Sequence, residues 1–146
     1  MEVNGLPAHA LLVHVAVVVL PLTAAAAVAV SLWPAAQRKL TFLVPLAAVA
    51  GLLVVPLTTA AGAALAEDLG NPPFIARHRD LGLQVLPWAA ALAVTTIAQW
   101  LYLRRPRRRG ATGRWVLAAA VVISSAGTAV VVALTGEAGA RAVWGR

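Results

Sequence analysis

The sequence predicts an all-α integral membrane protein, a four-helix transmembrane bundle with its N-terminus and C-terminus both outside. Two observations carry that expectation. Segments 10–33, 40–66, 81–103 and 115–134 contain no charged residue. A bilayer core takes roughly 20 helical residues to cross, and a charge at its centre costs on the order of 3 kcal/mol, so four clean stretches of this length read as four spans. The second observation is where the charge goes. Arg38 and Lys39 sit between the first two segments, and Arg104, Arg105, Arg107, Arg108, Arg109 and Arg114 between the last two. The five acids, Glu2, Glu67, Asp68, Asp80 and Glu137, all lie elsewhere. Short basic loops stay on the cytoplasmic side, which sets both ends and the middle loop outside. Trp33, Phe42, Trp100, Tyr102 and Trp115 mark the same inner boundary, where amphipathic rings settle among headgroups.

With 146 residues and 61% apolar content, the chain reads as one transmembrane domain over 1–146, without room for a soluble catalytic unit. The basic cluster reads as a topology signal with some attraction for anionic lipid, not as a nucleic-acid site. Cysteine is absent, which removes disulfides, thiolate metal sites and cysteine nucleophiles together. Eleven arginines against one lysine, with abundant alanine, suggest a GC-rich bacterial genome and hence a multi-pass protein of the plasma (inner) membrane.

The first segment follows Leu6-Pro7-Ala8-His9, with Pro7 suited to a first helical turn. It lacks a basic leader and is long for a signal peptide, so it reads as a retained helix ended by Pro34. A tight turn at Gln37-Arg38-Lys39 leads to the second segment, where Pro45 and Pro56 are expected to place bends. The middle loop contains Gly70-Asn71-Pro72-Pro73, which reads as a stop followed by a new helix capped by Asn71 with Pro72 as its first residue. The last segment carries Ala120, Ser124 and Thr128 at four-residue spacing beside Ser125 and Gly127, a small-residue stripe that predicts close packing, centrally or against another copy in a homo-oligomer. No internal repeat stands out, although both halves read as helical hairpins with a proline in the first member.

Chemistry rests on His9, His14 and His78, all toward the outer face. His14 and His78 each follow a helix-starting proline by six or seven residues, which predicts similar depth. His14 shares a stripe with Val18, Pro21 and Ala25, and His78 one with Gly82, Ala89 and Thr96, so both are expected to face protein. Two opposed imidazoles are what axial ligation of a b-type haem requires, making His14 and His78 the expected iron ligands. Arg77 and Arg79 then stand where propionates emerge. Two alternatives remain: His14 satisfied by a backbone carbonyl or Gln84, and a bare metal site drawing on His9, His14, His78 and Glu67 or Asp80. The spacing of His9 and His14 does not put both on one helical face. A proton-coupled transporter would carry an intramembrane carboxylate, and Ser124 and Ser125 have no histidine at their depth, so catalytic residues are not expected.

Three stretches, Gly5-Leu6-Pro7-Ala8-His9-Ala10-Leu11-Leu12-Val13-His14, Pro56-Leu57-Thr58-Thr59-Ala60-Ala61-Gly62 and His78-Arg79-Asp80-Leu81-Gly82, together with the closing Thr135-Gly136-Glu137-Ala138-Gly139-Ala140-Arg141-Ala142-Val143-Trp144, resemble an uncharacterised family of predicted bacterial membrane proteins, domain-of-unknown-function family 2231. The resemblance implies a four-helix membrane domain without established activity, some relatives of which are joined to Rieske-type or cytochrome c domains. That company implies electron transfer within a membrane redox complex, with the family's histidine positions falling on His14 and His78 and His9 in the preceding motif. Where typical members have proline after the first histidine and a Phe-Pro pair after the second, this chain has Ala10 and Val15-Ala16. The expected function is thus a small electron-transfer subunit with b-type haem near the outer face. The alternative is a non-catalytic scaffold or assembly subunit whose histidines only hydrogen-bond.

Overall fold

Proline and apolar length together set the element boundaries. The computed structural model describes residues 2–3, 6–105 and 110–145, so Gly5 of the first motif and Arg107, Arg108 and Arg109 of the basic loop lie outside the described residues. Helix α1 (Ala8–Leu32) is preceded by a short antiparallel pairing of Glu2–Val3 with Leu6–Pro7. Trp33 then stands alone in an extended conformation, φ −120° and ψ 114°, because the ring of Pro34 disfavours helical backbone at the residue before it. Where a tight turn was expected, Pro34 opens a short helix, α2 (Pro34–Leu40), which carries Arg38 and Lys39 in its last turn.

Helix α3 (Leu43–Asp68) has Pro45 in its first turn, where a missing N–H breaks no helical bond, so the expected bend has no cause there. Pro56 is in the interior, and the Thr58 and Thr59 hydroxyls donate to the carbonyls of Val54 and Val55 at 2.8 and 2.9 Å. The end of α3 is a Schellman closure: Asn71 N–H reaches Ala66 O at 2.8 Å and Gly70 N–H reaches Glu67 O at 2.9 Å. Gly70 and Asn71 both take positive φ, 76° and 52°. This corrects the expected cap. Asn71 finishes the closure of α3 instead of starting the next helix, and Pro72 stays extended because Pro73 follows it. A 310 turn, Pro73–Ile75, leads into α4 (Ala76–Leu103).

The last helix, α5 (Ala111–Trp144), runs ten residues past the expected stop at Leu134. At 1.5 Å per residue it is about 50 Å long, more than a bilayer core needs. The sequence turns more polar after Leu134, but nothing there breaks a helix. Glu137 and Arg141 continue it with a one-turn ion pair.

Four helices are long and apolar enough to cross a membrane, and the chain is a multi-pass helical membrane protein. In cross-section they form a ring in the order α1, α3, α4, α5, so α1 faces α4 across the middle and α3 faces α5. The interior is built from small side chains, including Ala24, Ala27, Ala48, Ala89 and Ala93, around the larger Leu20, Leu92 and Val121. Leu22, Leu53, Val94 and Ile123, one from each spanning helix, are 63–65% exposed. That inversion of a water-soluble protein is expected where the solvent is lipid and close packing, not apolar burial, holds helices together. The small-residue stripe of α5 does pack centrally: Ser124 and Thr128 are buried, and Thr128 bonds to Ser124 O at 2.8 Å and Trp88 O at 3.1 Å.

Further polar bonds cross the interior. Gln99 Nε2 donates to Ser31 Oγ at 2.9 Å, tying α4 to α1 across the ring, and Thr95 and Ser124 share a 2.9 Å hydroxyl contact. At the end bearing the basic loops, Phe42 packs on Trp100, the Arg104 guanidinium lies 4.2 Å from the Trp100 ring centre, and Tyr102 O–H donates to Gly110 O at 2.8 Å. Rings and arginines together at one level suit a membrane–water boundary.

Candidate functional site

At the other end of the bundle the first turns of α1 and α4 each deliver one imidazole. His9 is the second residue of α1 and His78 the third of α4. Because these helices are diagonal partners, the two rings meet across the bundle, with centroids 6.1 Å apart and planes at 83°. His9 Nδ1 lies 3.0 Å from Thr58 O on α3, and His78 Nδ1 lies 2.9 Å from Thr135 O on α5. All four spanning helices therefore contribute to one layer.

A carbonyl can only accept, so each Nδ1 carries the proton and donates it. In a neutral imidazole the lone pair is then on Nε2. Carbonyls on the far nitrogen orient metal-binding histidines in this way. Two imidazole nitrogens sharing an ion at about 2.0–2.1 Å hold their ring centres roughly 6 Å apart, which matches the 6.1 Å found. The pair thus offers two imidazoles at an edge-to-face ring spacing, each with its Nδ1 already bonded to a carbonyl.

The pair that meets differs from the one expected. His14 is exposed and its Nδ1 donates to Ala10 O, one turn back on its own helix, which is the carbonyl alternative anticipated for it. Its stripe follows it outward: Val18 and Ala25 are also exposed. Five residues at 3.6 per turn place His14 roughly 140° around α1 from His9, so turning one inward turns the other out. The depth argument failed at the second helix. Pro72 is extended and Pro73–Ile75 is a 310 turn, so His78 lies in the first turn of α4 and matches His9 in depth, not His14. His78 itself keeps its expected inward face, with Ala89 and Thr96 buried along it.

Arg77 and Arg79 are exposed and diverge. Arg77 lines a cavity of about 230 Å³ with Phe74 and Arg141, while Arg79 lines another of about 340 Å³ with Asn71 and Asp80. Among the described residues no three of His, Asp and Glu converge, so the set of His9, His14 and His78 with Glu67 or Asp80 is not assembled. Sequence reasoning also missed two glycines. A Cβ at Gly62 would lie 2.8 Å from His9 Cε1, and one at Gly139 would lie 3.0 Å from His78 Nδ1.

This histidine layer draws on each of the stretches in which the family resemblance lay. The model of domain-of-unknown-function family 2231, described as a predicted membrane protein, matches residues 5–146. The chain belongs to that family. No curated protein and no solved structure matches it. Membership and four apolar helices establish a membrane protein in contact with the lipid bilayer.

Proposed function

We propose that this member of family 2231 is a small electron-transfer subunit of a bacterial plasma-membrane complex, holding b-type haem near the outer face between His9 and His78. One observation carries the reading. Two imidazoles from diagonally opposed helices meet on the bundle axis at 6.1 Å, each tied through Nδ1 to a carbonyl that leaves Nε2 to bind. When bound, such a group would supply a one-electron couple, with His9 and His78 holding it. The chain's own part is to fix both ring orientations and tautomers. The split of basic loops favours the histidine end lying outside.

A second reading has an observation of its own. Both rings already satisfy a neighbouring helix, His9 joining α1 to α3 and His78 joining α4 to α5, as purely structural histidines in a scaffold subunit would. The absorption spectrum of protein produced with ample haem separates the two. A Soret band with sharp reduced α and β bands is expected, lost in His9→Ala and in His78→Ala and kept in His14→Ala. Protein that stays colourless through haem titration would leave the scaffold reading standing.

A further inference from the structure

The two halves of the histidine layer are copies of one another in detail. In the first hairpin, His9 donates to Thr58 O, the Thr58 hydroxyl donates to Val54 O, and Gly62 backs the ring. In the second, His78 donates to Thr135 O, the Thr135 hydroxyl donates to Val131 O, and Gly139 backs the ring. Valine, threonine and glycine thus recur with the same spacing, 77 residues on.

That register was fixed by the bonds alone, so sequence and burial test it independently. Val54-Val55-Pro56-Leu57-Thr58-Thr59-Ala60-Ala61-Gly62-Ala63 and Val131-Val132-Ala133-Leu134-Thr135-Gly136-Glu137-Ala138-Gly139-Ala140 agree at seven of ten positions, too many for a chance match at an imposed register. Of the seven buried residues of α3, Val44, Ala48, Gly51, Val55 and Ala61 fall on buried Val121, Ser125, Thr128, Val132 and Ala138 of α5, while Pro45 and Ala66 fall on half-buried Val122 and exposed Val143. The shift that carries His9 to His78 likewise takes buried Leu20, Ala24 and Ala27 of α1 to buried Ala89, Ala93 and Thr96 of α4. The ring order places α1 opposite α4 and α3 opposite α5, as a half-turn about the bundle axis requires.

We propose that the chain is an internal duplication of one histidine-bearing hairpin, and that Gly62 and Gly139 are matched positioning residues seating His9 and His78 as equivalent ligands on the pseudo-twofold axis. The word ligand rests on the function proposed above; the duplication and the seating do not. A site on such an axis suits one occupant that takes a nitrogen from each side. Its two imidazoles should respond alike to the same insult. A methyl group at Gly62 would force the His9 ring to shift, and one at Gly139 would require the His78 ring to give by a few tenths of an ångström, straining each ring's bond to its carbonyl.

The test uses full-length protein in detergent with 15N-labelled histidine. Wild type is expected to show Nδ1-protonated, hydrogen-bonded rings at both His9 and His78, and rings in different tautomers would overturn the equivalence even if no variant folds. Gly62→Ala should disturb the His9 signals and Gly139→Ala those of His78, with helical circular dichroism unchanged. In haem-loaded protein each should weaken binding by a similar factor, roughly fivefold for one impaired hydrogen bond. A response in only one variant, or in neither, overturns the proposal. Matched ring responses in protein that takes up no haem would leave the duplication and the seating supported and remove the ligand role.

Discussion

Trp88 on α4 occupies the space that a side chain at Gly127 on α5 would need, a Cβ there overlapping the indole carbons. Thr128, the next residue, donates to Trp88 O and holds the two backbones at that spacing. The indole therefore cannot move away by letting the helices part. Gly127→Ala gains about 1 kcal/mol of helix propensity, but the overlap costs typically 1–3 kcal/mol. Gly127→Leu should lower thermal stability in detergent clearly, and Gly127→Ala should lower it less. The same measurement on Ile123→Leu and Val130→Leu, at exposed positions, should show little change.

Ser31 and Gln99 form the polar tie between α1 and α4 at the end opposite the histidines. Both are buried, and Ser31 Oγ also donates to Ala27 O at 2.8 Å. Hydrogen bonds between membrane helices average about 0.6 kcal/mol, with a maximum near 1.7, because the unfolded chain in lipid also finds partners. A double-mutant cycle of Ser31→Ala and Gln99→Leu should return a coupling in that range. Strictly additive losses would show that the pair does not act as one unit.

Glu137 and Arg141 make an ion pair on the exposed C-terminal part of α5, with side chains 50% and 70% exposed. Solvent screening and side-chain entropy reduce such a pair to about 0.3–0.5 kcal/mol. Glu137→Ala should leave the melting temperature within error of wild type. A drop comparable to that of Gly127→Leu would mean that this part of α5 makes contacts beyond the bundle described.

The basic loops are expected to lie on the cytoplasmic side. A periplasm-active reporter fused after Trp144 should be active, and one inserted beside Arg114 should be silent. The reverse pattern would place the histidine layer on the cytoplasmic side and remove the outer-face site from the proposed function.

The number and approximate extent of the spans were determined by the sequence itself. Uncharged apolar length is a direct measure of what a bilayer accepts, and it needs no partner to act. Inward packing at Ser124 and Thr128 was legible for a similar reason, since small residues at helical spacing form a surface on any helix. Which histidines meet was not legible in that way. His14 and His9 differ by their angle around α1, and that angle acquires meaning only when α3, α4 and α5 fix which side of α1 is interior. The depth of His78 depended on three residues of 310 turn that two adjacent prolines impose, a local choice that apolar length does not record. The repeat that holds Gly62 and Gly139 did not stand out in the sequence, because glycine spacing among so many small residues carries no chemistry of its own. Tertiary structure gave it one by bringing an imidazole from another helix against each, where the absence of a Cβ leaves room for the ring to reach its carbonyl.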